Sequence, residues 1–235
     1  MRREKGGFWI ALCAVLFYLT AWLVGRARFE GTEHIPADGG ALLVTNHISH
    51  LDPIFTGLVV HRARRVPRFL AKHSLWSVPV LGSALRGSGQ IPVYRESVDA
   101  QQSLCAGRRA LQEGKVVVIY PEGTITRDPD GWPMHARTGV ARLALSADVP
   151  VVPAVHWGTR TVLDGYNKRF RPLPRTTITV RCGEPVDLTA YRGRPMDATL
   201  LREVTDVLMT RVRELLAQVR GEPAPGEFFH GGAAS

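Results

Sequence analysis

A histidine and an aspartate five residues apart, His47 and Asp52, stand where an apolar run, Ala41–Thr45, gives way to the segment Asn46-His47-Ile48-Ser49-His50-Leu51-Asp52. On one straight helix the two side chains would point about 140° apart. At a strand-to-helix turn they can meet. The carboxylate then fixes the imidazole tautomer and stabilises the ring once its other nitrogen has taken a proton. That pair is the minimum equipment for removing a proton from a hydroxyl by general base catalysis. Taken alone, the same spacing also describes a polar turn in which Asp52 simply caps the following helix.

Two further segments carry groups suited to an anionic, hydroxyl-bearing substrate. Gly89-Gln90-Ile91-Pro92-Val93-Tyr94-Arg95 ends in an arginine whose guanidinium could hold a phosphate through two parallel hydrogen bonds. The run Lys115–Tyr120 (KVVVIY) leads into Pro121-Glu122-Gly123-Thr124-Ile125-Thr126-Arg127. There Gly123 permits close backbone approach to a ligand, and Glu122 can accept hydrogen bonds from substrate hydroxyls. Each segment also has a plain reading, as a surface arginine and as a capping carboxylate in a turn.

These residues need a scaffold, and the apolar pattern supplies one. Short apolar runs predict strands at Ala41–Thr45, Val66–Ala71, Gly89–Tyr94, Lys115–Tyr120, Val149–His156 and Thr176–Cys182. Pro92 demotes the third of these to an edge. Helices are predicted from Asp52-Pro53 to about His61, with Asp52 as cap and the proline at the first helical position. Others are predicted over Val98–Glu113 closed by Gly114, over Gly139–Ala147, and over Met196–Val219. Strands alternating with helices make an α/β domain whose mixed, largely parallel sheet is flanked by helices. Open sheets of that kind bind ligands beyond the carboxyl ends of their strands, which is where His47 and Glu122 fall.

The 235-residue chain fits one such domain with an N-terminal extension and a tail. Phe8–Val24 is a 17-residue run without charge, preceded by Arg2, Arg3 and Lys5 and followed by Arg26 and Arg28. As a helix it spans about 25 Å against a hydrocarbon core of about 30 Å. It is expected to anchor the chain to a membrane, either crossing with snorkelling flanks or lying within one leaflet. No A-x-A cleavage site follows it, which argues against a secretory signal. Residues 1–28 are thus read as anchor, 29–220 as catalytic domain and 221–235, rich in Gly, Pro and Ala, as a loose tail.

The net charge of +9 suits a partner bearing phosphates, whether nucleic acid or anionic lipid. Two basic clusters stand out, His61–Arg68 and Lys168–Arg175. Both also fit solvated loops. No nucleic-acid-binding motif accompanies them. Cys13, Cys105 and Cys182 are far apart and lack C-x-x-C spacing, which excludes a disulfide framework and a zinc site of the usual pattern. Unpaired thiols suit a reducing compartment, hence a cell-membrane protein with its catalytic domain on the cytoplasmic side.

Taken in order, these segments resemble the glycerolipid acyltransferase family, whose lysophosphatidate acyltransferases act at membranes. The family's N-H-x4-D is matched by Asn46, His47 and Asp52, and its G-x-I-x-x-x-R by Gly89, Ile91 and Arg95. Its F-P-E-G-T-R-S reads here as YPEGTIT, and its V-P-V-like strand as Val152-Pro153-Ala154. Lys72, in Ala71–Gly82, matches a lysine near the family's substrate phosphate. The resemblance spans roughly Phe29 to Val155 and extends more weakly to Cys182. It implies direct acyl transfer from acyl-CoA or acyl carrier protein to the free hydroxyl of 1-acylglycerol 3-phosphate, giving phosphatidate without a cofactor or metal. His47 is then the base and Asp52 its partner. Lys72 and Arg95 hold phosphate, and Glu122, Gly123 and Thr124 shape the glycerol site. One departure bears on the acceptor: the third motif's arginine position is Ile125, leaving Arg127 or Arg137 to supply that charge.

Alternative readings keep the chemistry with another lysophospholipid or glycerol 3-phosphate as acceptor. More distant ones are a serine esterase using Ser49 with His47 and Asp52, and a lipid-binding protein without catalysis. The absence of a G-x-S-x-G elbow speaks against the esterase.

Overall fold

The computed structural model describes residues 7–94 and 100–230. Its seven-stranded sheet runs in the order β1 (Gly25–Glu30), β9 (Thr176–Cys182), β6 (Val151–Trp157), β2 (Ala41–Thr45), β5 (Val116–Ile119), β3 (Pro67–Lys72), β4 (Ile91–Val93). All neighbours are parallel except β6 and β9. Strand alternation divides the core. Leu43, Val118, Val152 and Ile178 face α1 (Phe8–Val24) and α2 (Asp52–Arg62). Leu42, Val117, Val151 and Val155 face α5 (Gly139–Ser146) and α7 (Ala198–Arg220), with Leu111 of α4 (Ala100–Gln112). Both faces are covered, so β2, β5 and most of β6 read as unbroken apolar runs rather than alternating ones.

Three elements depart from the sequence expectations. The anchor does not extend to residue 28: α1 ends at Val24 and hands over directly to β1, an edge strand paired with β9 from Gly25 onward. The pattern GRARFE gave no apolar signal because an edge strand leaves Arg26 and Arg28 in solvent. A two-stranded hairpin, β7 (Leu163–Asp164) and β8 (Arg169–Phe170), follows the short α6 (Thr159–Val162). A short α3 (Leu81–Gly87) lies between β3 and β4. The described part of the tail, residues 221–230, is less loose than expected, because the Phe229 carbonyl accepts a 3.0 Å hydrogen bond from the His135 amide. Part of the Val98–Glu113 expectation lies outside the described residues.

No helix among the described residues is long and apolar enough to cross a membrane. One side of α1 docks on the domain: Ala21 and Val24 are buried, and the Phe17 ring rests against Gly57 of α2, where a Cβ would come within 2.8 Å of it. The other side leaves Phe8, Val15, Leu19 and Trp22 exposed. Of the basic clusters, Arg65 is not solvated. It is buried, and its guanidinium donates to the carbonyls of Pro36, Gly39 and Gly114.

Candidate active site

The site lies beyond the carboxyl ends of β6, β2 and β5, three adjacent parallel strands. Each contributes one loop. After β2 the chain turns through Asn46–Leu51 into α2, and Asp52 is its first residue. The expected helix cap does not form. Leu51 occupies that position, and the Asp52 carboxylate reaches backward instead. Its Oδ2 accepts from the Ile48 amide at 2.6 Å, the Ser49 amide at 2.8 Å and His47 Nδ1 at 2.9 Å. One oxygen thereby shapes the turn and orients the imidazole together. With Nδ1 engaged, Nε2 is the nitrogen left to exchange a proton.

The other oxygen, Oδ1, accepts a 2.6 Å hydrogen bond from Thr159 Oγ1, which comes from the end of β6. Thr159 follows Gly158, whose φ is +95° and whose Cβ, were there one, would fall 2.4 Å from the Thr177 carbonyl oxygen. Only glycine allows the tight turn that brings Thr159 beneath Asp52. Asp52 is wholly buried. Burial alone would raise its carboxyl, but hydrogen bonds from His47 and Thr159 help hold it below its usual value.

A polar network continues inward from Asp52. Thr56 Oγ1 donates to the Asp52 carbonyl at 3.0 Å. A hydroxyl has one proton, so Thr56 must accept from its other neighbours, the Tyr120 hydroxyl at 2.8 Å and His156 Nε2 at 2.7 Å. His156 therefore carries its proton on Nε2, which agrees with a buried Nδ1 that has no partner. Burial pushes the His156 ring down to about 4, so it is neutral at physiological pH. Its backbone N–H and C=O are both bound by the Asn46 side chain, at 2.8 and 3.2 Å. Asn46 thus fastens the turn after β2 to β6.

Glu122 sits differently from its expectation. It is buried and does not line the cavity onto which His47 opens. Oε1 accepts from the His47 amide and Oε2 from the Met134 amide, both at 3.0 Å. The Thr126 amide in turn donates to the His47 carbonyl at 2.7 Å. Glu122 acts on the site through the backbone of His47 rather than by touching an acceptor hydroxyl. Burial pushes its carboxyl up to about 8.

His47 opens onto a cavity of about 630 Å³ lined mainly by apolar groups. Its walls come from α1 (Cys13, Ala14, Phe17), α2 (Gly57, Leu58) and β3 (Phe69, Leu70), and Ala84 of α3 also lines it. Its lining also includes His47, Tyr120, Lys72, Gly123 and Thr124. The Tyr120 ring lies 4.4 Å from that of His47. Gly123 has φ +74° and is half-buried, and the Arg137 side chain packs against it, with Nε 3.3 Å from the position of a Cβ. Ile125 is buried yet contributes an apolar side chain to the cavity lining, and its carbonyl accepts from the Tyr166 hydroxyl at 2.7 Å. Arg127 is exposed. Arg95 lies outside the described residues. Ser49, the nucleophile of the esterase reading, is buried with its hydroxyl donating to the Leu163 carbonyl at 2.7 Å, so it offers no nucleophile to the cavity.

Sequence reasoning missed Thr159, His156 and Thr56. Nothing local marks Thr159 or His156, which meet the Asn46–Asp52 segment from more than a hundred residues away. Among the described residues no cluster of His, Cys, Asp and Glu could hold a metal ion.

A family model described as Acyltransferase matches residues 26–157. The 1-acyl-sn-glycerol-3-phosphate acyltransferase of Bacillus subtilis (strain 168) is 25% identical over 203 residues, covering 86% of this chain and 94% of that one. The protein of the same description from Borreliella burgdorferi is 28% identical over 143 residues, covering 60% of this chain and 55% of that one. The crystal structure of the 1-acyl-sn-glycerophosphate (LPA) acyltransferase PlsC from Thermotoga maritima aligns with a TM-score of 0.67 and 25% identity, over 88% of this chain and 80% of that one.

Proposed function

Because this chain belongs to the Acyltransferase family and is an O-acyltransferase of the 1-acylglycerol-3-phosphate type, we propose that it transfers a fatty acyl group from acyl-CoA or acyl carrier protein to the free hydroxyl of 1-acylglycerol 3-phosphate, with His47 as general base. The observation that carries the mechanism is an imidazole whose Nδ1 is held at 2.9 Å by a buried carboxylate and whose ring lines an apolar cavity. His47 Nε2 takes the proton of the acceptor hydroxyl as its oxygen attacks the thioester carbonyl. The carbonyl carbon–sulfur bond then breaks, and the thiolate leaves with the proton returned from the imidazolium. Asp52 steadies the ring and its transient charge. Holding both substrates in one cavity supplies much of the remaining acceleration.

Lys72 and Arg137 are assigned to the acceptor phosphate, with Arg95 as a further candidate from the family resemblance. The apolar walls suit an acyl chain, and the cavity volume falls in the usual range for a small-molecule site. Helix α1 is apolar around its whole circumference, yet only one side is covered by the domain. A helix with no polar face is stable when its remaining side meets protein or lipid. We therefore assign α1 to one leaflet of the cell membrane, with the catalytic domain on the cytoplasmic side and the cavity wall formed partly by α1 itself.

Thiol release from acyl-CoA with lysophosphatidate in mixed micelles tests the reaction. His47→Ala is expected to lower the rate by about 10²-fold or more with folding retained. Full activity in that variant would remove the base from the mechanism. Acyl carrier protein in place of CoA then identifies the donor.

A further inference from the structure

We propose that the β7–β8 hairpin and the loop after it form a second membrane contact, one that reads the negative charge of the bilayer beside the mouth of the active site. The hairpin carries Lys168, Arg169 and Arg171, all exposed, around two large apolar side chains, Phe170 and Leu173, which are 60% and 73% exposed. Cations flanking exposed apolar groups match an interface where headgroups are anionic and acyl chains lie just beneath. No ion pair involves any of these three cations among the described residues. The hairpin's one acidic group, Asp164, is engaged internally by Asn167 and Arg160.

Position favours a bilayer over other polyanions. Arg175, the fourth cation of this cluster, is exposed but engaged by α1 and its junction with β1. Its guanidinium donates to the Trp22 carbonyl at 2.5 Å and the Gly25 carbonyl at 2.8 Å, and it lies over the Trp22 indole. It therefore ties the loop after β8 to the C-terminal end of α1, where Trp22 is 65% exposed. At the hairpin's other end, Gly165 and Tyr166 line the cavity, and the Tyr166 hydroxyl donates to Ile125. The outer apolar side of α1, the hairpin tip and the cavity mouth are thus joined by direct contacts. A surface that settles α1 into a leaflet brings the hairpin to the headgroups.

The inference rests on α1 being the leaflet-embedded element, and its test is independent of turnover. Full-length protein is sedimented with vesicles of phosphatidylcholine alone or with three parts phosphatidylcholine to one part phosphatidylglycerol, without substrate. The triple variant Lys168→Gln, Arg169→Gln, Arg171→Gln is expected to bind the anionic vesicles about 100-fold more weakly, from roughly fivefold per cation near the surface. Its binding to neutral vesicles is expected to stay unchanged. The wild-type preference for anionic vesicles should shrink in 1 M KCl, where the screening length is about 3 Å. Phe170→Ser with Leu173→Ser should weaken binding to both compositions. Equal binding of wild type and triple variant to the anionic vesicles overturns the proposal. So does an equal loss on neutral vesicles, which would make the effect one of folding rather than charge. His47→Ala, expected to bind like wild type, separates this result from any failure of the acyl-transfer reading.

Discussion

Thr159 Oγ1 donates a 2.6 Å hydrogen bond to Asp52 Oδ1, the carboxylate oxygen that His47 does not use. Both side chains are fully buried, and they come from the ends of neighbouring parallel strands. Asp52 therefore accepts four hydrogen bonds: two backbone amides and an imidazole on one oxygen, a hydroxyl on the other. In the proposed mechanism Thr159 is a positioning residue, since its hydroxyl donates to Asp52 and not to the imidazole.

Removing that hydroxyl while keeping its shape leaves a buried carboxylate short of a partner. A hydrogen bond to a charged group contributes about 1.5–3 kcal/mol. If that stabilisation is felt while the imidazolium forms, Thr159→Val should lower kcat by about 10- to 100-fold with the KM for either substrate little changed. Thr159→Ser should keep most of the activity. Steady-state kinetics of both variants, beside their thermal unfolding, distinguish positioning from bulk stability. A Val variant with reduced stability but normal kcat would make the residue purely structural.

The acceptor phosphate gives a second prediction. Arg137 packs on Gly123, which lines the cavity, while the third-motif arginine position is filled by buried Ile125. Arg137→Ala should raise the KM for lysophosphatidate about tenfold or more, as expected for loss of a charge-assisted contact, and leave kcat within about threefold. Monoacylglycerol, which lacks the phosphate, should be used equally well by variant and wild type. An unchanged KM for lysophosphatidate would return that role to Lys72 or Arg95.

Much of the frame was legible because its signals are local. Apolar runs bounded by turns mark β2, β5 and β6, and a carboxylate five residues after a histidine marks a turn able to bring them together; they lie 2.9 Å apart. What was illegible depends on distant contacts or on burial. Thr159 has no neighbour in sequence that reveals its partner. Glu122 looked like a ligand for hydroxyls because its motif sits at a strand end, yet Met134 and His47 close around it. Strand β1 escaped notice because its exposed arginines hide the extended pattern at a sheet edge.

The inward turn of Glu122 has a consequence for stability. In the unfolded chain its carboxyl titrates near 4.5, whereas in the fold it is pushed up to about 8. Between those values the folded state holds a proton that the unfolded state has lost. Stability from this group is therefore fully present below about pH 4.5 and declines as pH rises through 8. His156 works in the opposite sense. Its ring is pushed down to about 4, so its contribution is lost as pH falls from 6.5 toward 4. Above pH 6.5 only the Glu122 slope remains of the two. Urea unfolding at pH 6.5 and 8.5 should show wild type losing stability over that interval, while Glu122→Gln, which removes the titrating proton and gives up one of the two backbone hydrogen bonds, starts less stable but loses less. Parallel losses in the two proteins would contradict the burial argument.

The cavity itself predicts a change in acyl-chain preference. Ala14 of α1 and Ala84 of α3 both contribute to its lining. Protein interiors are close-packed, so a larger side chain at either position removes space that a chain would fill. Ala14→Phe should therefore lower use of palmitoyl-CoA relative to lauroyl-CoA in direct competition, with the lauroyl rate itself less affected. The comparison isolates volume from chemistry, since the thioester and the His47–Asp52 pair are common to both donors. It also tests whether α1 is part of the binding site rather than only an anchor. Because Phe17 seats α1 against Gly57, Gly57→Leu should displace the helix and depress both donors together. A chain-length ratio unmoved by Ala14→Phe, with activity retained, would mean that the acyl group lies elsewhere.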